Sequence, residues 1–446
     1  MRILPLFVAA LLASSGALAG VPLPAFPLKA SADNRYLVDQ NDKPFLIIGD
    51  APQAMVGNLS VAQAKHFMDN REKWGVNALW INLLCNSYTA CNSDGTTFDG
   101  LQPFTTPGDL STPNPAYFNR AAMMLKGAQA HGMVVLLDPI ETGGWLGILG
   151  GNGEMKARKY GEFLGKRFKD IPNIVWMSGN DFQSWRDPSQ TALVRAVMRG
   201  IAAKDPNHIQ TAELDYYVSA TLDDGTLRPL VGLDAVYTYR PTYAKELTEY
   251  KRKDFRPTFM VEANYEFEHN GGTDGGTTGN LRRQEWWTAF SGTTGQLYGS
   301  AFSWRLDGDW QHNLDTDGIK QFSYVKNLLS QFQWWNLVPD RSHQVLTHGY
   351  GTYSDSDPIP DDTYATAAAT PDGTLVMAYL PTHRSVVIDM TKLAGQTQAF
   401  WFDPTNQAET FIGNYSNTGV ANFVPPVHNH DGDQDWVLIL EATAAP

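Results

Sequence analysis

Cysteine is almost missing from this sequence: 446 residues carry two, Cys85 and Cys91. That scarcity excludes a disulfide-dense scaffold, and no His neighbours either residue at metal-ligand spacing. Positive charge is also scarce. Lys and Arg number 34 against 47 Asp and Glu, for a formal net charge of -13. No Lys/Arg-rich run offsets that balance, which disfavours a nucleic-acid partner because the phosphates would be repelled. Beyond the N-terminus no stretch reaches the roughly 20 apolar residues of a membrane span. Glycine motifs that cradle phosphates are absent, and so are H-E-x-x-H and G-x-S-x-G. A nucleotide-binding open sheet and a protease both lose support.

What is present begins with Met1-Arg2, an apolar run from Ile3 to Leu12, and Ala17-Leu18-Ala19. A positive start, a short apolar core and an A-x-A end predict a signal peptide cleaved after Ala19, with secretion or periplasmic placement. In an oxidising compartment Cys85 and Cys91 are expected to staple the loop that holds them; two free thiols are the alternative. Aromatic residues are plentiful, at 13 Trp, 18 Tyr and 21 Phe. Many lie outside periodic core segments, and aromatic faces suit the apolar C–H faces of sugar rings.

From residue 34 onward short apolar runs alternate with helical spacing. Strands are expected over residues 45–50, 78–83, 133–139, 174–177, 208–212, 233–237, 257–262 and 297–304. Helices are expected over 61–74, 115–131, 155–169, 191–204, 244–251 and 282–291. Ser60 and Asn114 are the expected caps of the first two, and Gly75 and Gly132 the stops. The strands are apolar nearly throughout, as parallel strands covered on both faces are. Eight such units predict an α/β fold, a (β/α)8 TIM barrel over residues 20–337. After residue 335 the period falls to two and turn residues intervene. A small antiparallel β-sandwich over residues 338–446 follows, with Trp334-Trp335 packed between the domains. The glycines at 271, 272, 275 and 276 read as a flexible loop near the site.

A barrel of this class carries its active site at the C-terminal strand ends. Polar residues that close an apolar strand are therefore the candidates: Asp50, Asn82, Asp138, Glu141, Asn180, Asp181, Glu213, Tyr239 and Glu262, with Trp304 closing the eighth strand. A carboxylate cluster with aromatic company and no metal signature suits glycosidic bond cleavage. One carboxylic acid protonates the leaving oxygen, and a second carboxylate acts from the opposite face of the sugar. Asp181 after the fourth strand and Glu262 at the end of the seventh face each other across such a barrel mouth. Singly, an Asp after a strand is more often a helix cap than a catalyst. Glu closing a buried apolar run is rarer without a partner or a task.

Phe45-Leu46-Ile47-Ile48-Gly49-Asp50, Trp74-Gly75-Val76-Asn77, Ile171-Pro172-Asn173-Ile174-Val175-Trp176 with Gly179-Asn180-Asp181, and Pro257 to Glu262 resemble the apiosidase-like catalytic domains, which include glycoside hydrolase family 140. Gly373-Thr374, Ala378-Tyr379-Leu380 and Trp401-Phe402-Asp403-Pro404 resemble the collagen-binding-type β-sandwich that often follows them. The resemblance implies a retaining glycoside hydrolase acting on plant or microbial oligo- or polysaccharide, with no cofactor and no metal. Asp181 falls on the acid/base and Glu262 on the nucleophile. Asn180 falls on the residue that binds the substrate 2-hydroxyl, and Trp304 on the floor of the subsite for the cleaved sugar. Asp50, Asn82, Asp138, Glu213 and Tyr239 complete the expected substrate contacts. Family members often carry Thr, a small residue and Trp where this chain has Ala51-Pro52-Gln53, so apiose specificity does not carry over. The competing reading is a non-catalytic glycan-binding or adhesion protein on a barrel scaffold. A carbohydrate is the expected partner, with no membrane insertion; oligomeric state is left open. Thiol titration of the denatured, non-reduced protein is expected to find no free thiol, and two free thiols would remove the staple.

Overall fold

The computed structural model describes residues 23–270 and 275–443. The expected signal peptide and Gly271-Gly272 lie outside them. Eight parallel strands form the main sheet: β1 Ile47–Asp50, β2 Ala78–Asn82, β3 Val134–Asp138, β4 Ile174–Ser178, β5 Gln210–Ala212, β6 Asp234–Tyr237, β7 Thr258–Glu262 and β8 Gly295–Tyr298. Their order is 5-4-3-2-1-8-7-6, with the short antiparallel strand Ser219–Ala220 added outside β6. The sheet is curled, and no ladder joins β5 to β6 among the described residues. Thr221 spans that seam instead. Its hydroxyl donates to the Ala212 carbonyl and accepts from the Ala235 N–H at 3.0 Å, while the Gly232 N–H reaches the Gln210 carbonyl at 2.9 Å. The expected eight-strand ladder is thus interrupted where the chain between β5 and β6 makes short turns rather than an α-helix.

Besides a single turn over Met55–Asn58, the helices are α1 Val61–Lys73, α2 Pro115–Ala130, α3 Thr142–Phe168, α4 Pro188–Lys204, α5 Thr242–Glu249, α6 Thr278–Ala289, α7 Ala301–Arg305 and α8 Asp317–Leu329. Ser60 caps α1 through a reciprocal pair with Gln63, and the Asn114 side chain caps α2 at 3.1 Å from the Ala116 N–H. Several stretches differ from the sequence reading; α8 over Asp317–Leu329 is not among the expected helices. Helix α3 begins at Thr142 rather than near 155, because its glycine-rich first half hides the helical period; Gly153, at φ +73°, kinks it. The eighth strand stops at Tyr298, where Ser300 caps α7 by accepting the Ser303 N–H at 3.0 Å. Trp304 therefore sits on a short helix and does not close a strand.

Alternation along the strands builds two cores. Ile47, Trp80, Leu136, Met177 and Phe259 fill the inside of the curl. Ile48, Ile81, Leu137 and Trp176 face outward onto Phe67, Phe118, Leu164 and Ile201 of the helices. The C-terminal region forms a six-stranded antiparallel sheet and a three-stranded one. The larger sheet is covered twice. Val376, Leu438 and Leu440 meet Val386 and Ile388 of the smaller sheet. Met377, Tyr379, Val437 and Ile439 pack on Trp286 and Trp287 of α6 and Leu328 of α8. Trp334 joins this second cluster, with its ring 6.0 Å from Tyr36.

One buried ion pair ties the two regions together. Arg282 of α6 donates from Nε and Nη2 to the two oxygens of Asp435, at 2.7 and 2.8 Å. Both side chains are buried. Removing one member leaves an uncompensated buried charge, so Arg282→Ala is expected to cost about 3–5 kcal/mol. Urea unfolding measures it, and a change under 1 kcal/mol would show that the pair carries little of the junction.

Candidate active site

The mouth of the curled sheet holds a cavity of about 140 Å³ lined by Gln53, Tyr88, Asn180, Asp181, Tyr239, Glu262, Tyr265, Glu268 and Trp304, among others. A second cavity of about 160 Å³ lies under Trp334 and Trp335 at the junction with the C-terminal sheets. It contains none of the expected site residues, so the chemistry is sought at the mouth.

Glu262 reaches the mouth through an irregularity. The β6–β7 ladder shifts register after Val236, so Tyr237 pairs with Glu262 rather than with Val261. The extra residue turns the carboxylate to the side of Tyr237, which belongs to the inner core. Asp181 reaches it by a strained turn. Gly179, Asn180 and Asp181 all have positive φ, at +134°, +64° and +53°. Gly179 is required there, since a Cβ would lie 2.1 Å from the Glu213 carbonyl oxygen. Thr142 holds the turn by donating from its N–H and hydroxyl to the Gly179 carbonyl, each at 2.7 Å. Glu213 accepts the Asp181 N–H at 2.8 Å.

Four phenols surround the two carboxyl groups. The Tyr237 hydroxyl lies 2.8 Å from both Asp181 Oδ1 and Glu262 Oε1. Tyr239 donates to Glu262 Oε1 at 2.5 Å and Tyr265 to Oε2 at 2.8 Å. Tyr88 donates to Asp181 Oδ2 at 2.6 Å. Burial raises both carboxyls above the ordinary carboxylate range, and the Asp181 charge raises Glu262 further against the lowering by its phenol donors. Burial also raises Glu213, followed by the charges of Glu262 and Asp181.

The remaining expected residues divide. Tyr239, Asn180 and Trp304 line the cavity, and the Trp304 indole N–H donates to Glu268 at 2.6 Å. Asn82 is buried behind them, donating to the Asn180 side-chain oxygen at 3.2 Å and accepting the Trp80 indole N–H. Glu213 supports the Asp181 turn from below. Asp50, Asn82, Asp138 and Glu213 are all outside the cavity lining, which departs from their reading as substrate contacts. Asp50 shares the outward side of its strand with Ile48. There its carboxylate takes Arg71 Nε at 2.5 Å and the Ser303 hydroxyl at 2.9 Å. Asp138 is fully buried and accepts the Ile140 N–H at 3.1 Å. Cys85 and Cys91 form a disulfide beside the mouth.

Sequence reading missed Tyr88, Tyr237, Tyr265, Gln53 and Glu268. Tyr237 was readable as the residue closing β6. The others sit on loops without a periodic pattern. Gln53 stands in the segment that departs from the family pattern, and it donates to the Tyr265 hydroxyl at 3.1 Å.

A curled parallel sheet whose mouth holds two facing carboxyls, aromatic walls and no nucleotide motif defines a glycosidase-class catalytic domain. The family model described as "Apiosidase-like, catalytic domain" matches residues 31–336. The chain belongs to that family. Residues 356–441 match the model described as "Putative collagen-binding domain of a collagenase". No curated protein matches the chain in sequence. Among solved structures, one titled glycoside hydrolase has 21% identity and a TM-score of 0.81, covering 95% of this chain and 98% of its own. A glycoside hydrolase family 5 protein from Bacteroides vulgatus has 21% identity and a TM-score of 0.79, with 93% of each chain covered. A family 27 β-L-arabinopyranosidase from Geobacillus stearothermophilus has 11% identity and a TM-score of 0.53, covering 90% of this chain and 97% of its own. These likenesses concern the fold.

Glu141, after β3, accepts the Thr89 hydroxyl at 2.8 Å and the Asn86 N–H at 3.2 Å, yet burial pushes its carboxyl up to about 7. A raised carboxyl stabilises the folded state fully below its unfolded value, and that stability is lost as pH rises through about 7. Stability is therefore expected to fall between about pH 5 and pH 8. Glu141→Gln should remove part of that fall in denaturant unfolding across the range. An identical slope in the variant would remove Glu141 as its source.

Proposed function

We propose that this protein is a retaining glycoside hydrolase in which Glu262 is the nucleophile and Asp181 the acid/base. The observation that carries the reading is the Tyr237 hydroxyl, bonded at 2.8 Å to a carboxyl oxygen of each residue. Those two oxygens can be no further apart than the two bonds laid end to end. So close an approach of the nearest oxygens favours the roughly 5–5.5 Å carboxyl separation of retaining glycosidases over the roughly 6.5–9.5 Å of inverting ones.

The hydrogen count supports the roles. Glu262 is surrounded by three phenols and Asp181 by two, with Tyr237 common to both. A phenol has one proton to donate, so Tyr237 cannot satisfy two anions at once. With one of the two carboxyls protonated it can receive from that one and donate to the other, and the two further phenols on Glu262 against one on Asp181 favour the charge on Glu262. Glu262 is then the ionised partner and Asp181 the acid, one proton serving the coupled pair. In the first step Glu262 attacks the anomeric carbon while Asp181 gives its proton to the leaving oxygen. In the second, Asp181 takes a proton from the water that releases the sugar. Asn180, held by Asn82, is placed for the 2-hydroxyl, and Trp304 offers its ring to the sugar face.

The same reading takes the curled eight-strand sheet as a (β/α)8 barrel, with Thr221 completing the wall between β5 and β6. It places the domain boundary near residue 337 and takes the chain as exported after cleavage near Ala19. A panel of aryl glycosides and of plant and bacterial polysaccharides tests the activity. Wild type is expected to release a defined sugar with its anomeric configuration kept, read by NMR of the first product. Asp181→Ala and Glu262→Ala should each lower the rate by roughly 10²–10⁴-fold or more. Sugar binding without release, untouched by either substitution, would favour a glycan-binding protein.

A further inference from the structure

Tyr88 is the one phenol of the site that reaches a carboxyl from a loop closed on itself. Cys85 and Cys91 bracket it, joined by their disulfide. Inside that ring the Asn86 side-chain oxygen accepts the Tyr88 N–H at 2.9 Å, and the Asn86 carbonyl accepts the Cys91 N–H at 2.8 Å. Glu141 takes the Asn86 N–H and the Thr89 hydroxyl from outside. Three glycines leave room for this arrangement. A Cβ on Gly57 would lie 2.6 and 2.7 Å from the two sulfurs, one on Gly144 2.1 Å from the Asn86 side-chain oxygen, and one on Gly143 2.2 Å from the Tyr88 ring. The loop is thus held at its base by close contacts, with Ser87 and Tyr88 themselves partly open to solvent, and its product is one hydroxyl 2.6 Å from Asp181 Oδ2.

We propose that the Cys85–Cys91 disulfide is a positioning device for the acid: it holds Tyr88 as the donor that stabilises Asp181 once its proton has left. This rests on the reading of Asp181 as the acid/base. The donor matters because the other groups facing Asp181 leave its anion poorly served. Tyr237 from β6 is shared with Glu262, and Glu262 from β7 and Asp215 after β5 are acidic neighbours. Glu213 and Glu141 are further carboxyls on the same side; Tyr216 and Tyr239 add no bond to Asp181. Tyr88 is the phenol whose donor bond Asp181 does not share. Reduction of the disulfide would then weaken the acid without touching either carboxylate. Tyr88 is accordingly a positioning residue.

The test reads Asp181 directly and needs no substrate. Carboxyl titration by NMR in aspartate-13C-labelled protein, with the resonance assigned through Asp181→Asn, follows its protonation in wild type, Tyr88→Phe, and Cys85→Ser/Cys91→Ser. Loss of a donor to the charged form raises a carboxyl's midpoint, so both variants are expected to titrate about one pH unit higher than wild type. The triple variant should shift no further than either alone. Gly144→Ala keeps the disulfide but crowds Asn86, and should produce the same shift where the serine pair fails to fold. An unmoved midpoint in Tyr88→Phe, or in both loop variants with unchanged circular dichroism, overturns the proposal. An upward shift in a protein that cleaves no glycoside leaves the loop's role standing and removes the hydrolase reading.

Discussion

Two carboxyl groups are held in a pocket where burial raises the cost of ionising each, and each adds to the cost of ionising the other. That repulsion is met by hydrogen-bond donors, since the described residues that line the cavity include no Lys, Arg or His. Phenols meet it. Tyr237, Tyr239 and Tyr265 serve Glu262, and Tyr88 and Tyr237 serve Asp181. A phenol donates one proton without adding a positive charge, so the pair is supported while one of the two carboxyls keeps its reason to stay protonated. Much else near the mouth follows from placing those rings. The register shift opposite Glu262, the strained turn at Asp181 and the clipped loop at Tyr88 each deliver one side chain to the same small volume.

The supports extend outward in layers. Glu213 and Thr142 hold the backbone of the Asp181 turn, Asn82 holds Asn180, and Glu141 holds the loop of Tyr88. Further out, Arg71 fixes β1 to α1 through Asp50, with Ser303 bringing α7 to the same carboxylate. The C-terminal sheets complete the outer layer on one side. Their contact with α6 and α8 is apolar and continuous, sealed by the buried Arg282–Asp435 pair. A surface of that kind holds helices firmly against the strands they cover, and α6 follows β7, whose last residue is Glu262.

Much of the fold was legible from period and punctuation alone. All eight parallel strands lie where apolar runs placed them, and the Ser60 and Asn114 caps are in position. The errors have local causes. Glycines concealed the first half of α3, and a serine cap ended β8 before Trp304. The site was partly legible. Asp181, Glu262, Asn180 and Tyr239 share one cavity at or just beyond strand ends, and Trp304 joins them from a short helix rather than from the strand end expected of it. Asp50 shares their strand-end position and faces the other way, because side chains alternate and it falls on the outward side with Ile48. Tyr88 and Tyr265 carry no periodic pattern, and no local rule could have aimed them.

The sequence by itself determined the alternation of strands and helices, the change to period two near residue 335, and the carboxyl-bearing residues available at the strand ends. These are properties of neighbours along the chain, where side-chain size, branching and capping act over a few residues. Only the tertiary structure decided which of those carboxyls meet. That outcome turns on a one-residue register shift beside Val261, on three consecutive positive φ angles, and on loops brought together from positions far apart in the chain. A single added residue reverses the side on which a strand presents its side chain, and the energy that selects it resides in contacts between segments.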